Sequence, residues 1–128
     1  MTRYKILLVD DEKSLAAMLK LNLEAMGDYE VKIENNSLKA VQTAIEFRPQ
    51  LILLDVIMPH KEGPDVAIDV KSTAAIKNVP IVFLTATVTP QEVEEQDGFI
   101  GGHPFVAKPS NLVVLLHTIE KNCVPADS

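Results

Sequence analysis

Short runs of apolar residues alternate along the chain with segments whose apolar residues recur at helical spacing. Four runs are almost wholly apolar: Ile6–Val9, Leu51–Leu54, Ile81–Leu84 and Phe105–Ala107. Strands that are buried on both faces carry continuous apolar runs, whereas half-exposed strands alternate apolar and polar residues. The intervening segments have the period of amphipathic helices. The pattern therefore predicts buried parallel strands that are connected by helices.

The alternation predicts five strands and five helices. The strands are predicted at about Lys5–Val9, Glu30–Glu34, Leu51–Leu54, Ile81–Leu84 and Phe105–Ala107. The helices are predicted at about Lys13–Met26, Ser37–Phe47, Asp65–Ser72, a segment that begins near Pro90, and Asn111–Asn122. Right-handed crossovers between parallel strands place helices on both faces of the sheet. We predict an α/β fold: a doubly wound, five-stranded parallel sheet in the order 2-1-3-4-5.

Two helices have apolar stripes that predict their buried faces. The stripe of the first helix contains Leu15, Met18, Leu19, Leu23 and Met26. The stripe of the last helix contains Leu112, Leu115, Leu116 and Ile119. Val113 and Val114 lie off that second stripe, so they are either isolated surface valines or part of a surface for a partner.

Polar side chains follow the strands where each one ends. Asp10 and Asp11 follow the first strand, Asp55 the third, Thr85 the fourth and Lys108 the fifth. Parallel strands end at one edge of the sheet, and ligands of open α/β sheets bind there. The predicted strand order places the first and third strands side by side, so we expect the three aspartates to meet.

Three neighbouring carboxylates predict a cation site. Two unit charges ~4 Å apart repel by about 4 kcal/mol at an effective dielectric near 20. Mg²⁺ prefers such oxygen ligands. Asp55 emerges at the centre of the sheet and is the best candidate nucleophile for a phosphoryl group. For Asp11, the alternative interpretation is a cap of the following helix.

Composition limits the class of protein. The 128 residues carry 18 acidic and 12 basic side chains, a net charge of −6, which argues against direct nucleic-acid binding. The lone Cys123 has no partner for an internal disulfide, which favours a reducing compartment. No apolar stretch has the length of a signal-peptide core or a membrane span, so we expect a cytoplasmic protein.

The motifs together resemble the receiver domain of two-component response regulators. They are Leu7–Glu12, Asp55–Pro59 with Gly63, Leu84–Ala86 and Phe105–Pro109. The resemblance extends from about Lys5 to Lys121 and implies the flavodoxin-like (βα)5 fold. We expect residues 1–124 to form the receiver domain and residues 125–128 a loose tail. No effector domain is expected to follow, so the chain is either a stand-alone regulator or a receiver cut from a longer protein.

The resemblance implies roles for individual residues. Asp55 would accept a phosphoryl group from a sensor histidine kinase or a phosphotransfer protein. Asp11 would bind Mg²⁺ directly and Asp10 through water, together with Asp55 and the main-chain carbonyl of Ile57. Thr85 and Lys108 would contact the phosphoryl oxygens, and the Lys108–Pro109 peptide would be cis. Phe105 would be the switch aromatic, turning inward as Thr85 moves. The residues to which the resemblance assigns a role are Asp10, Asp11, Asp55, Ile57, Thr85, Phe105 and Lys108.

The resemblance also implies where a downstream partner would bind. The surface would comprise the helix from Pro90, the strand Phe105–Ala107 and the last helix, and a second copy of the chain is another candidate partner. The chain departs from the family pattern at His103-Pro104, before the switch aromatic, and at Lys61-Glu62, a change expected to be harmless. Ile57 and Thr87 occupy positions that influence dephosphorylation in this family. An apolar Ile57 cannot orient a water, so we expect slow hydrolysis.

Three functions remain in competition at this point. The first is a phosphorylated switch that is not a turnover enzyme. The second is a degenerate receiver that binds partners without phosphorylation, against which the complete set of site residues argues. The third is a Mg²⁺-dependent phosphohydrolase working through an aspartyl phosphate. Such hydrolases usually carry a second carboxylate two residues after the nucleophile, where this chain has Ile57.

Overall fold

The computed structural model describes residues 4–26, 28–85, 99–100, 103–107 and 112–122. The strands are β1 Tyr4–Val9, β2 Tyr29–Glu34, β3 Leu51–Asp55, β4 Ile81–Thr85, β5 Phe99–Ile100 and β6 His103–Ala107. The helices are α1 Lys13–Glu24, α2 Ala40–Phe47, α3 Gly63–Lys71 and α4 Leu112–Asn122, and a 3-10 turn, Ser37–Lys39, leads into α2. The helix predicted from Pro90 and the tail predicted at 125–128 lie outside the described residues.

The strands form one sheet in the order β2-β1-β3-β4-β6-β5. The first five strands of that order pair in parallel, which confirms the predicted order 2-1-3-4-5, with β6 as the predicted fifth strand. The short β5 was not predicted. It pairs antiparallel with the start of β6, where Phe99 lies opposite Pro104. Two residues are too few to leave a hydrophobic period in the sequence.

The two faces of the sheet are covered by different helices. On one face, α1 and α4 pack over Ile6, Leu8, Leu53, Val82 and Val106. On the other face, α2 and α3 pack over Leu7, Val9, Leu54, Phe83 and Phe105. Successive residues of each central strand thus point into opposite cores, as the unbroken apolar runs predict.

The stripe predicted for α1 is wrong at two positions. Met18 and Met26 are each 51% exposed, whereas Ala16, Leu19 and Leu23 are buried. The buried face is centred on Ala16, whose small side chain carries little weight in a hydrophobic pattern. Met26 lies beyond the last residue of α1, so the helical period no longer applies to it.

The stripe predicted for α4 is confirmed. Leu115 and Ile119 are buried, and Leu112 and Leu116 pack against them. The two valines off the stripe are exposed: Val113 by 71% and Val114 by 52%.

Candidate functional site

The register of β1 and β3 brings the first two predicted site segments together. Val9 at the end of β1 pairs with Leu54 of β3, so Asp10 and Asp55 are the next residues of two neighbouring strands. Carboxylate oxygens of Asp10, Asp11 and Asp55 all lie within 4.8 Å of one another. The structure thus brings together the three aspartates that the sequence singled out.

The three carboxylates differ in how far they are buried. Asp10 is fully buried and Asp55 is 5% exposed, whereas Asp11 is the most exposed of the three. One carboxylate oxygen of Asp10, Oδ1, accepts a hydrogen bond from the main-chain N–H of Glu12 at 3.0 Å. The cap interpretation of Asp11 is wrong, because Glu12 occupies the cap position of α1 and makes no side-chain cap bond.

The donor set fits a magnesium ion. Negative charges held this close in a poorly solvated place repel one another unless a cation lies between them. Mg²⁺ is a hard cation that takes carboxylate and carbonyl oxygens and keeps several waters. Two buried carboxylates and a more exposed third offer such oxygens on one side and leave room for water on the other.

The connection between β3 and α3 lies against the backbone of Asp55. The main-chain N–H of Gly63 donates to the carbonyl of Val56 at 2.8 Å. A Cβ atom at Gly63 would lie 2.2 Å from the carbonyl oxygen of Asp55. Any side chain there would therefore displace the start of α3 from the site. Ile57, whose carbonyl is the remaining predicted metal ligand, is 54% exposed.

The remaining predicted site residues follow β4 and β6. β4 ends at Thr85, and its backbone pairs with Ala107 at the same edge of the sheet. The Thr85 side chain, Thr87 and the Lys108–Pro109 peptide lie outside the described residues. Phe105 is buried in the core beneath α2 and α3, in register with Phe83.

His103 begins β6 and packs edge-on against a core aromatic. Its ring centroid lies 5.7 Å from that of Phe83, with the planes at 76°. Burial lowers the pKa of the His103 imidazole below its ordinary value of 6.5, and the Lys71 ammonium lowers it further. A cavity of about 310 Å³ lies beside this pair, lined by Pro64, Ala67, Ile68, Lys71, Ser72, Phe83 and His103.

Comparison with known proteins decides the family. A family model, the response regulator receiver domain, matches residues 6–120. The chain belongs to this family. The "Uncharacterized transcriptional regulatory protein YkoG" of Bacillus subtilis is 35% identical over 120 residues, which are 93% of this chain and 50% of that protein. The receiver domain thus spans about half the length of this relative.

Solved receiver structures share the fold. Chemotaxis protein CheY4 of Vibrio cholerae superposes with a TM-score of 0.80 at 30% identity, over 94% of this chain and 99% of CheY4. The receiver domain of a signal transduction histidine kinase from Syntrophus aciditrophicus gives a TM-score of 0.77 at 30% identity, over 92% and 88% of the two chains. This receiver domain is therefore a component of two-component signalling.

Sequence reasoning missed several side chains that contact the site segments. Asn35 and Ser37, in the connection between β2 and α2, donate to main-chain carbonyls of the site. Lys61, expected to be a harmless departure from the family, pairs with Asp69 of α3. Polar residues in a connection normally indicate only a turn, so no pattern in the sequence distinguishes them.

Among the described residues, no helix is long and apolar enough to span a membrane.

Proposed function

We propose that this receiver domain is a phosphorylation-dependent switch in which Asp55 accepts the phosphoryl group. The observation that carries the proposal is the convergence of Asp10, Asp11 and Asp55 within 4.8 Å at the carboxyl edge of the sheet. Asp55 ends the central strand β3, and 5% of its surface remains exposed. It is both anchored by the strand and reachable at the edge where α/β proteins bind ligands.

The phosphoryl transfer is a substitution at phosphorus. A carboxylate oxygen of Asp55 forms a bond to the phosphorus of a phosphohistidine in a histidine kinase or phosphotransfer protein. The phosphorus–nitrogen bond breaks, and its electron pair stays on the imidazole of the donor. The product is an acyl phosphate on Asp55.

Mg²⁺ is the cofactor we propose for this step. Asp11, Asp55 and the carbonyl of Ile57 would hold it directly, and Asp10 through water. The bound ion would offset the negative charge of the phosphoryl oxygens as they approach the carboxylates. Asp10 keeps its place through the Glu12 N–H, which donates to its carboxylate. Thr85 and Lys108 would donate to the phosphoryl oxygens.

The conformational change that follows phosphorylation would reach the surface through β6 and α4. Phe105 is buried in β6, and only β4 lies between β6 and β3 in the sheet. A change at Thr85 would alter the packing of this ring, a local charge event that biases the conformation of a surface. Val113 and Val114 lie exposed on α4. They would widen the surface that a downstream partner or a second copy binds.

The test is the intact-protein mass after incubation with acetyl phosphate, with and without Mg²⁺. We expect one phosphoryl adduct that requires Mg²⁺ and is lost in Asp55→Asn. Absence of any adduct in the native protein, with no response to beryllofluoride, would favour a degenerate receiver. Steady release of phosphate without an accumulating adduct would favour a hydrolase.

A further inference from the structure

The connection between β2 and α2 contacts two segments of the site, the one that follows β1 and the one between β3 and α3. It contains Asn35 and Asn36, followed by Ser37 at the start of the 3-10 turn. Two of these three side chains donate hydrogen bonds to main-chain carbonyls of segments that carry site residues. The third organises the connection itself.

Asn35 holds the end of β1. Its side-chain amide nitrogen, Nδ2, donates to the carbonyl oxygen of Asp10 at 2.7 Å. The N–H of Asp10 donates to the carbonyl of Glu34 at 3.1 Å. The peptide groups on both sides of Asp10 are therefore bonded to consecutive residues, the last residue of β2 and the first of the β2–α2 connection, and this fixes the direction in which the Asp10–Asp11 backbone leaves the sheet.

Ser37 holds the connection between β3 and α3. Its hydroxyl donates to the carbonyl oxygen of Pro59 at 2.9 Å, and Ser37 is itself buried. Another side-chain tie of this connection, between Lys61 and Asp69, is partly exposed. Exposed ion pairs contribute little, because water and salt screen them. The buried hydroxyl is therefore the stronger constraint on the segment that contains Ile57.

Further hydrogen bonds hold the connection between β2 and α2 in place. The two carboxylate oxygens of Glu34 accept from the Asn36 N–H at 3.0 Å and from the Thr43 hydroxyl at 2.6 Å. The Asn36 side chain accepts from the N–H of Leu38 at 3.0 Å and so caps the 3-10 turn. These bonds orient the backbone around Asn35 and Ser37 before any ligand binds.

We propose that Asn35 and Ser37 are positioning residues that set the two halves of the cation site relative to each other. Asn35 aligns the Asp10–Asp11 half, and Ser37 aligns the half that carries the Ile57 carbonyl. This inference rests on the proposed function, because it assumes that these groups bind Mg²⁺. Mg²⁺ demands nearly ideal octahedral geometry, so a small displacement of either half weakens its binding.

The test is the Mg²⁺ affinity of Asn35→Ala and Ser37→Ala, measured by isothermal titration calorimetry. The temperature is kept well below the melting temperature of each variant, so that all molecules are folded. We expect each variant to bind Mg²⁺ about tenfold more weakly, at the lower end of the effect of groups that orient metal ligands. The initial rate of phosphorylation by acetyl phosphate should fall at limiting Mg²⁺ and recover at saturating Mg²⁺.

Ser72→Ala is the matched control. It also removes a serine hydroxyl that donates to a main-chain carbonyl, that of Ile68 at 2.8 Å, but it lies at the far end of α3 from the site. We expect its Mg²⁺ affinity to equal that of the native protein. Ser37→Thr keeps a hydroxyl donor and should bind Mg²⁺ more tightly than Ser37→Ala.

The outcomes separate this inference from the proposed function. If the native protein binds Mg²⁺ and forms the adduct while both alanine variants keep the native dissociation constant, Asn35 and Ser37 are merely structural and the inference is overturned. A lower melting temperature with an unchanged dissociation constant would overturn it equally. If the native protein forms no adduct, the proposed function fails first.

Discussion

Ile57 bears on the lifetime of the phosphorylated state. It lies two residues after Asp55, and its side chain is 54% exposed at the edge of the site. An aliphatic side chain neither donates nor accepts a hydrogen bond, so it cannot orient a water for attack on an aspartyl phosphate. A second carboxylate at this position, as in hydrolases, would be able to do so.

We expect Ile57→Asn to shorten the half-life of the phosphoryl group on Asp55. The amide can orient a water but cannot accept its proton, so we expect about tenfold, less than general acid–base catalysis supplies. The measurement is the decay of the phosphoryl adduct, by intact mass, after the donor is removed. Ile57→Leu is the control, since it keeps an aliphatic side chain. Equal half-lives in the native protein and the Ile57→Asn variant would contradict the prediction.

The positions of site residues at strand ends were predictable, whereas contacts that depend on the close approach of distant segments were not. Asp10 and Asp55 end apolar runs, which is visible in the sequence. Gly63 stands out in the sequence only as part of a family motif, and its physical reason is the backbone of Asp55 behind it. Asn35 and Ser37 bond to carbonyls of segments distant in sequence. The predicted roles of Asp10, Asp55, Thr85 and Lys108 remain predictions.

At the scale of elements, the predicted end of α2 at Phe47 is confirmed, and the structure shows a strained backbone at the next residue. Arg48 has φ 54° and ψ 60°, and its N–H donates to the carbonyl of Ala44 at 2.9 Å. This is the left-handed conformation that commonly ends helices and that glycine adopts without steric penalty. Arg48 is exposed, so its side chain contributes little packing.

We expect Arg48→Gly to raise the free energy of unfolding by about 0.5 kcal/mol. Relief of the left-handed conformation is worth about 1 kcal/mol, and the greater freedom of glycine in the unfolded chain offsets part of it. Urea unfolding measures the change. Arg48→Ala keeps a Cβ atom and should give no gain. A variant with glycine that is no more stable than the one with alanine would contradict the explanation.

The exposed face of α4 carries the proposed docking surface. Val114 lies beside Val113 on the side of the helix away from Leu115 and Ile119. We expect Val114→Lys to weaken binding of the downstream partner, or self-association, at least tenfold, because it would bury an ammonium in an apolar contact. Phosphorylation by acetyl phosphate should be unchanged, since α4 provides none of the proposed site residues.

The measurement is the affinity of the phosphorylated protein for a second copy, by sedimentation, and for candidate effector proteins, by calorimetry. Glu120→Gln, also at an exposed position of α4, changes the net charge by the same +1 as Val114→Lys and controls for charge. If Val114→Lys slows phosphorylation as well, the substitution has disturbed the fold and not a docking surface. If Glu120→Gln weakens binding equally, charge and not apolar contact is responsible.

The predicted elements agree best with the structure where the pattern is long and central. The four apolar runs predicted as strands became parallel strands of the core, because a strand covered on both faces can bury every side chain of such a run. The hydrophobic period of α1 wrongly predicted that Met18 and Met26 are buried, since methionine fits a hydrophobic pattern whether or not the residue is buried. Nothing in a two-residue strand such as β5 distinguishes it from a loop.

At the scale of the whole molecule, the order of the strands was predictable from the sequence. The output of the receiver, meaning the partner or process that it controls, was not. The relatives are a transcriptional regulatory protein, a chemotaxis protein and a domain of a histidine kinase. One receiver fold thus serves proteins of different kinds, and its core and acidic edge carry no information about the output. We therefore expect the output to depend on the proposed docking surface of α4 and β6.

Acid should destabilise the whole domain through His103. Burial, and then the Lys71 ammonium, lower the pKa of its imidazole below 6.5 in the folded protein. As the pH falls below 6.5, the unfolded chain therefore takes up a proton that the folded protein does not, and protons favour unfolding. The stability of the native protein should accordingly fall from pH 7 toward pH 5.

His103→Gln removes this titration and keeps a polar side chain of similar size. We expect its melting temperature to depend less on pH between 7 and 5 than that of the native protein, as measured by scanning calorimetry. Both proteins keep the carboxylates that respond at lower pH, so the difference between the two curves isolates the imidazole. Parallel curves would show that His103 is not coupled to folding.

Repulsion among the three carboxylates should lower the free energy of unfolding of the whole domain until a cation binds between them. Asp10 and Asp55 are buried, and their carboxylate oxygens lie within 4.8 Å of each other and of Asp11. Repulsion between such charges amounts to about 1 kcal/mol in a water-like medium and to about 3–4 kcal/mol at an effective dielectric near 20. A ligand that binds only the folded state raises its stability in proportion to the logarithm of the ligand concentration.

We therefore expect Asp55→Asn to have opposite effects in two buffers. Without divalent cations, removing one charge should raise the melting temperature. With millimolar Mg²⁺, the native protein should gain stability and the variant much less, so that their difference shrinks or reverses. Thermal unfolding at increasing Mg²⁺, with Ca²⁺ in parallel and Asp28→Asn as a control for net charge away from the site, measures both effects. If Asp28→Asn behaves like Asp55→Asn, the gain reflects the net charge of −6. If Mg²⁺ does not change the melting temperature of the native protein, the three carboxylates do not form a cation site.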